Sequence, residues 1–405
     1  MNTFAFAAAA APRRPLRVAF VTETYPPEVN GVATTTAQFV DGLRRRGHAV
    51  QVVRPRQAAD GEPSITRDVL MRGLPIPNYP QLRMGMPARR ELERLWSLQP
   101  PQVVHVATEG PLGWSALRAA QALGLPVTSD FRTNFHQYSR HYRLGWLHRP
   151  IMGLLRRFHN AAACTMVPTE AVQRELQAAG FERVVVVPRG VDVHHYSPVW
   201  RSRTLRATWG ASEGDLVLGC VGRLAPEKNL MLLLEAYRAL RASQPRARLV
   251  LVGDGPMRAA LEAACPDAVF AGVRRGDDLA AHYASMDLFA FPSQTETFGN
   301  VTTEALASGL PLVAFDHAAA GQLVRPGVNG LLVPCDDAAG FVATVLRLAG
   351  DELLRRRIAP QARATALALG WDGVVARFEA QLLRACGEAD IAPPPARHAT
   401  VKVAA

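Results

Sequence analysis

One pattern constrains the fold more than any other: short apolar runs alternate with helix-length stretches from residue 17, and the pattern restarts at residue 217. In the first half the runs are Arg17–Glu23, Ala49–Arg54, Val103–Ala107, Val127–Asp130 and Val184–Val187. Helices are predicted between them over Gly31–Arg46, about Gly113–Leu123, and Ala171–Ala179. In the second half the runs are Val217–Val221, Arg248–Val252, Val269–Ala271, Leu288–Phe291 and Leu312–Phe315. Here the predicted helices are Leu230–Arg241, Met257–Ala264, Asp278–Ser285 and Val301–Ser308. Strands that alternate with helices imply parallel sheets with helical crossovers, in two separate units. At 405 residues the chain is too long for one ordinary core. The fold class expected is therefore α/β, two Rossmann-like doubly wound domains facing a central cleft, with ligands beyond the carboxyl ends of the strands. The domains are drawn as residues 1–195 and 196–370, and the turn-rich stretch from Arg189 to about Asp215 is read as the linker.

No apolar stretch approaches the ~18–20 residues that span a bilayer. The Ala-rich start lacks a basic leading region, and Arg13 and Arg14 follow it where a signal would be cleaved. Residues 1–14 are accordingly expected to be a disordered leader, 391–405 a disordered Pro- and Ala-rich tail, and the protein cytoplasmic. Five scattered cysteines without metal-ligand spacing fit reduced thiols. The net charge of +11 is uneven: residues 1–200 carry 24 Arg against 14 acids, a net of +10. Of 46 basic residues only Lys228 and Lys402 are lysine, and Lys402 falls in the tail. A compact ammonium placed once, among planar guanidinium groups, marks position 228.

Three loops carry the chemistry. The segment Phe291-Pro-Ser-Gln-Thr-Glu-Thr-Phe-Gly-Asn300 leads from a strand into a helix whose free first-turn amides favour an anion, and Gly299 permits close backbone approach. Glu296 sits just before those amides, and Glu304 lies about 6 Å further along the helix axis. Each carboxylate can accept two hydrogen bonds from a vicinal diol. An anion site between two such carboxylates suits a nucleotide sugar. In Gly222-Arg-Leu-Ala-Pro-Glu-Lys-Asn229, Arg223 and Lys228 can approach a diphosphate from two sides, and Asn229 is expected to cap the next helix. In Val252-Gly-Asp-Gly-Pro256 the glycines allow a tight turn, and Pro26–Ala33 places Gly31 at a strand-to-helix loop of the first half. Without further context each of these groups also reads as a solvated loop residue.

Taken together, GRLAPEKN, VGDGP, FPSQTETFGNVTTEALASGLP and the early NGVA loop resemble the family-4 retaining glycosyltransferases of GT-B fold, over roughly Arg17 to Leu383. The resemblance implies an acceptor-binding domain over 1–195, a nucleotide-sugar donor domain over 196–370, and a helix within 371–390 that crosses back. It implies that Arg223 and Lys228 clamp the donor diphosphate, with Gly31 also at the phosphate, and that Glu304 holds the ribose. Glu296 and the amides of Phe298, Gly299 and Asn300 would hold the donor sugar, while Val273 and Arg274 would meet the base. Where the family often carries a cleft histidine, this chain reads Ser129-Asp-Phe-Arg132-Thr-Asn-Phe-His136; Arg132 takes the register of that histidine and both remain candidates for the donor-sugar or acceptor contact.

The implied reaction is transfer of a hexose, mannose first, from a nucleotide-diphosphate sugar to a lipid-linked or glycan acceptor, by same-face attack. No cofactor is expected, nor a metal, since no Asp-x-Asp motif follows a strand. The alternatives are a glycosyl- or sulfoquinovosyl-diacylglycerol synthase using a UDP-sugar, a UDP-sugar 2-epimerase, or a basic nucleic-acid-binding protein. The last lacks any recognition module, so no nucleic-acid partner is expected. The segment Phe131–His159 interleaves six arginines with aromatic residues, and Arg149–Phe158 can form a helix with one basic and one apolar face. Such a helix can lie on an anionic membrane or pack its apolar face into the core.

Overall fold

The computed structural model describes residues 15–28, 31–57, 60, 68–76, 79–132, 148–296 and 298–387; the expected leader, the expected tail and His136 lie outside them. By contacts the chain divides into two compact units. One comprises residues 1–131, 155–165 and 377–405, the other residues 132–154 and 166–376.

Strands β1 (Arg17–Val21), β2 (Ala49–Pro55), β3 (Asp68–Met71), β6 (Val103–Val106), β7 (Val127–Asp130), β8 (Cys164–Val167) and β9 (Val184–Val186) form a sheet of order β3-β2-β1-β6-β7-β8-β9. Between β3 and β6 a hairpin of β4 (Gly73–Ile76) and β5 (Tyr79–Gly85) stands apart from this sheet. β1 pairs in parallel with β2 and with β6, Phe20 lying opposite both Val52 and His105. Of β1 only Arg17 is exposed, as expected for a strand covered on both faces.

The second sheet has the order β12-β11-β10-β13-β14-β15, from β10 (Val217–Val221), β11 (Arg248–Val252), β12 (Val269–Gly272), β13 (Leu288–Phe291), β14 (Leu312–Phe315) and β15 (Leu331–Val333). All five pairings are parallel. β10 and β13 are wholly buried, and Gly219 is required where they meet, since a Cβ there would collide with Met286. The direction of winding reverses between β10 and β13, so the loops leaving these two strands flank the crevice where such sheets bind ligands.

One reading changes. The stretch from Arg189 to Asp215 is built structure rather than a linker: Val191 bridges to Gly370, and a helix spans Arg203–Thr208. Its buried Arg206 donates to the carbonyls of Ser212, Asp215 and Ser285 and to Asp287, which fixes the segment to its unit. The helix His148–Asn160 divides its apolar side chains. Leu155 and Phe158 are buried, Phe158 edge-on to Trp114 at 5.0 Å, whereas Leu154 stays exposed with Arg149, Arg156 and Arg157.

The last helix, Trp371–Ala385, brings Glu379 into the first unit as a buried carboxylate. Arg46 donates to its Oε2 at 2.7 Å, and His48 Nε2 lies 2.8 Å from Oε1. His48 Nδ1 accepts the Leu16 amide at 3.0 Å, so the ring is held at both nitrogens.

Candidate active site

The loop after β10 carries Arg223 and Lys228, and its shape is fixed by the loop after β11. Gly222 N donates to Val252 O at 2.9 Å, and Leu224 N donates to Asp254 O at 2.9 Å. Gly253 has φ +137°, and a Cβ there would strike the Gly222 carbonyl. Two backbones therefore meet where only glycine fits. Pro226–Lys228 forms a single 3₁₀ turn before the helix Leu230–Ser243. Asn229 occupies the cap position as expected but does so in the left-handed region (φ 52°), with no side-chain capping hydrogen bond. The turn closes through the chain reversal, which Asn tolerates, rather than through its amide.

That turn delivers Lys228 to the loop after β13. Its ammonium donates to Glu296 Oε1, and Nζ stands 5.8 Å from the Phe291 ring centroid. Ser293 Oγ donates to the same Glu296 oxygen at 2.8 Å, Thr295 Oγ1 donates to Glu227 O at 3.2 Å, and His317 Nε2 lies 3.1 Å from Glu296 O. Lys228 and Glu296 are each less than one-fifth exposed, so their attraction is screened far less than that of a surface pair. Arg223 is more open, 3.9 Å from Glu227. Arg223, Lys228, Gly222, Cys220 and Phe291 line one narrow recess. Burial pushes the Cys220 thiol up to about 12, which keeps it a neutral wall of that recess.

Past Glu296 the chain enters the helix Asn300–Ala307 through Gly299, at φ +90°. Of the first-turn amides, that of Thr302 donates to Gly299 O at 3.0 Å, and those of Gly299, Asn300 and Val301 come before the intrahelical ladder begins. Phe298 is buried, its carbonyl taken by the Ala319 amide at 2.8 Å, and Arg189 donates to Asn300 Oδ1 at 3.3 Å. One turn on, Glu304 accepts from the Tyr283 hydroxyl at 2.7 Å, and Tyr196 stands nearby. Burial holds its carboxyl above the usual range, and the two phenols and nearby His195 pull it part of the way back.

The second unit thus brings Arg223, Lys228, Glu296, Phe298 and Gly299 onto the two loops flanking its switch point, with Asn300 and Glu304 in the first turns of the helix that follows the second loop. Val273 and Arg274 follow β12 instead: Val273 is exposed, and Arg274 is turned back to Ala271 O and Asp278. Gly31 opens the helix Gly31–Arg45 in the first unit, and Arg132 is buried, donating to Val187 O at 3.2 Å. Tyr196, Tyr283, His317 and Arg189 were not foreseen. Ser293, three residues before Glu296 in the same loop, was the one supporting group that spacing alone could have found.

This topology, with a basic and carboxylate-bearing crevice at the switch point, is that of the GT-B glycosyltransferases. The fold matches sucrose-phosphate synthase from Thermosynechococcus elongatus with a TM-score of 0.73 at 17% identity, over 93% of this chain and 100% of that one. The family described as Glycosyltransferase Family 4 matches residues 29–195, and that described as Glycosyl transferases group 1 matches 215–351. A GDP-mannose-dependent alpha-mannosyltransferase of Mycobacterium tuberculosis is 36% identical over 375 residues, 90% of this chain and 97% of the relative. A sulfoquinovosyl transferase of Arabidopsis thaliana is 31% identical over 369 residues, 88% of this chain and 71% of the relative. The chain belongs to the family-4 glycosyltransferases and is a hexosyltransferase, as its motifs imply.

Proposed function

We propose that the protein transfers mannose, with retention, from GDP-mannose to a lipid-linked or glycan acceptor. The observation that carries this reading is the meeting of Lys228 with Glu296 beside the N-terminal end of the Asn300–Ala307 helix. A cation and a set of amides suit a diphosphate, and carboxylates on the same loop and helix suit sugar hydroxyls. In the absence of donor, Lys228 and Glu296 neutralise each other; on binding, the ammonium turns to the diphosphate and Glu296 is released to the sugar. The acceptor hydroxyl then attacks the anomeric carbon on the face the diphosphate leaves. The carbon–oxygen bond to the diphosphate breaks, and the hydroxyl proton passes to a diphosphate oxygen. Arg223, Lys228 and the helix-start amides stabilise the charge that develops on that leaving group. The roles of Gly31 at the phosphate, of Val273 and Arg274 at the base, and of Arg132 or His136 at the sugar or acceptor belong to the same proposal.

The choice of GDP-mannose rests on the relatives of mannosyltransferase type, and a UDP-sugar passed to diacylglycerol is the second reading. Among the described residues no helix is long and apolar enough to cross a membrane. We place the protein in the cytoplasm, on the inner membrane face, through Leu154, Arg149, Arg156 and Arg157, at about 1 kcal/mol per basic residue near an anionic surface. Radiolabelled GDP-mannose, UDP-glucose and UDP-sulfoquinovose, each incubated with membrane lipid and with soluble glycans, test the substrate reading. Label entering product only from a UDP-sugar would overturn the mannosyl reading. Sedimentation with phosphatidylglycerol vesicles at low salt tests the membrane reading, and a protein that stays in the supernatant would overturn it.

A further inference from the structure

Two tyrosines surround the Glu304 carboxylate. Tyr283 is fully buried on the helix Gly276–Ser285 and directs its hydroxyl to Glu304 Oε2. Tyr196 comes close to the same carboxylate from the segment that precedes the Pro198 turn. The two rings meet edge to face, centroids 5.6 Å apart and planes at 89°, and Tyr283 also packs on Phe289 at 5.7 Å. The Tyr196 segment is braced in turn by Arg363. This guanidinium donates to Tyr196 O at 2.6 Å, to Val193 O at 2.7 Å, and to Ala307 O at 2.5 Å, the last at the end of the Glu304 helix. Burial pushes both phenols far above their usual range, so they stay protonated donors wherever the protein is folded.

A glutamate on a helix turns about three side-chain bonds, and freezing such a chain on binding weakens the complex. A carboxylate that must accept two hydroxyls at once benefits when that freezing is complete before the ligand arrives. Two phenols from different elements supply it, Tyr283 as a buried donor packed on both sides and Tyr196 as the ring that stands against it.

We infer that Tyr283 and Tyr196 are positioning residues of the donor site, holding the Glu304 carboxylate so that it reads the vicinal ribose diol and thereby sets the preference for ribose over deoxyribose nucleotides. The inference rests on the reading of Glu304 as the diol acceptor. The test is calorimetric titration of GDP and UDP, each beside its 2′-deoxy counterpart, into wild type, Tyr283→Phe, Tyr196→Phe and Glu304→Ala. In wild type, removing the 2′-hydroxyl should weaken the bound nucleotide about tenfold or more. Each phenylalanine variant should compress that ratio several-fold by weakening the ribonucleotide while the deoxynucleotide changes little. A wild-type ratio in both phenylalanine variants, or equal loss of both nucleotide forms, overturns the inference. Should Tyr283→Phe fail to fold, the partly exposed Tyr196 carries the test alone. A wild-type ratio near one, unchanged in Glu304→Ala, instead removes the ribose reading of Glu304 itself.

Discussion

The Lys228 ammonium donates to Glu296 Oε1 across 68 residues of sequence, joining the loops that leave β10 and β13. Each group is the other's neutralising partner, so removing either leaves a charge in a partly buried place. Lys228→Ala is expected to weaken GDP binding by about 1.5–3 kcal/mol, the range for a charge-assisted hydrogen bond, with turnover falling alongside. Lys228→Arg should recover only part of this, because a planar fork does not reproduce a point charge. Calorimetry with GDP and a mannosyl-transfer assay check both variants; wild-type affinity in Lys228→Ala would take Lys228 out of the donor site.

Glu304 carries a conflict between function and stability. Its folded carboxyl sits above the ordinary range because burial outweighs its phenol and histidine contacts. A group whose folded pKa is raised binds its proton more readily in the folded state. Its unfavourable contribution is therefore fully present above the folded pKa and is relieved as the pH falls towards the unfolded value. At neutral pH Glu304→Gln should accordingly melt no lower than wild type while losing donor affinity. The acid limb of wild-type binding should begin at a higher pH than an ordinary glutamate gives. A clear drop in melting temperature for Glu304→Gln would contradict this account.

Gly253→Ala tests the support beneath Arg223. The added methyl meets the Gly222 carbonyl, and φ at 253 lies in a region that alanine avoids. The cost should be about 1–3 kcal/mol, with the Arg223 loop displaced. The expected readout is weaker GDP binding together with a lower melting temperature, whereas Gly222→Ala should lose stability through backbone strain alone, since the space around that position is open.

In the first unit, Glu379→Ala strips His48 and Arg46 of a buried carboxylate. Breaking a buried pair from one side costs about 3–5 kcal/mol. Urea unfolding followed by tryptophan fluorescence should show the loss, and Glu379→Gln should restore part of it.

The strands were readable because each of β1, β10, β11, β13 and β14 is a short apolar run bounded by turn residues. The hairpin of β4 and β5 was not, since Pro75 and Pro80 fall inside it and argue against strand. Pro360 likewise argues against the helix Glu352–Leu367 that contains it. Glu296, Glu304, Arg223 and Lys228 were readable because loop chemistry is local. Tyr283 and Tyr196 were not, because on their own segments they read as ordinary core tyrosines, and only tertiary packing brings them to Glu304. Asn229 shows a residue type right for the position but acting through its backbone instead of its side chain.

Arg363 uses one side chain to do what a strand pairing would otherwise do, taking three carbonyls from two distant segments. The helix Glu352–Leu367 and the residues around Val193–Tyr196 are therefore one inheritance unit, although more than 150 residues of sequence separate them. A chimera with a relative that exchanges either part alone should leave carbonyls without donors and a slack Tyr196. Exchanging both parts together should keep those carbonyls paired and Tyr196 in place.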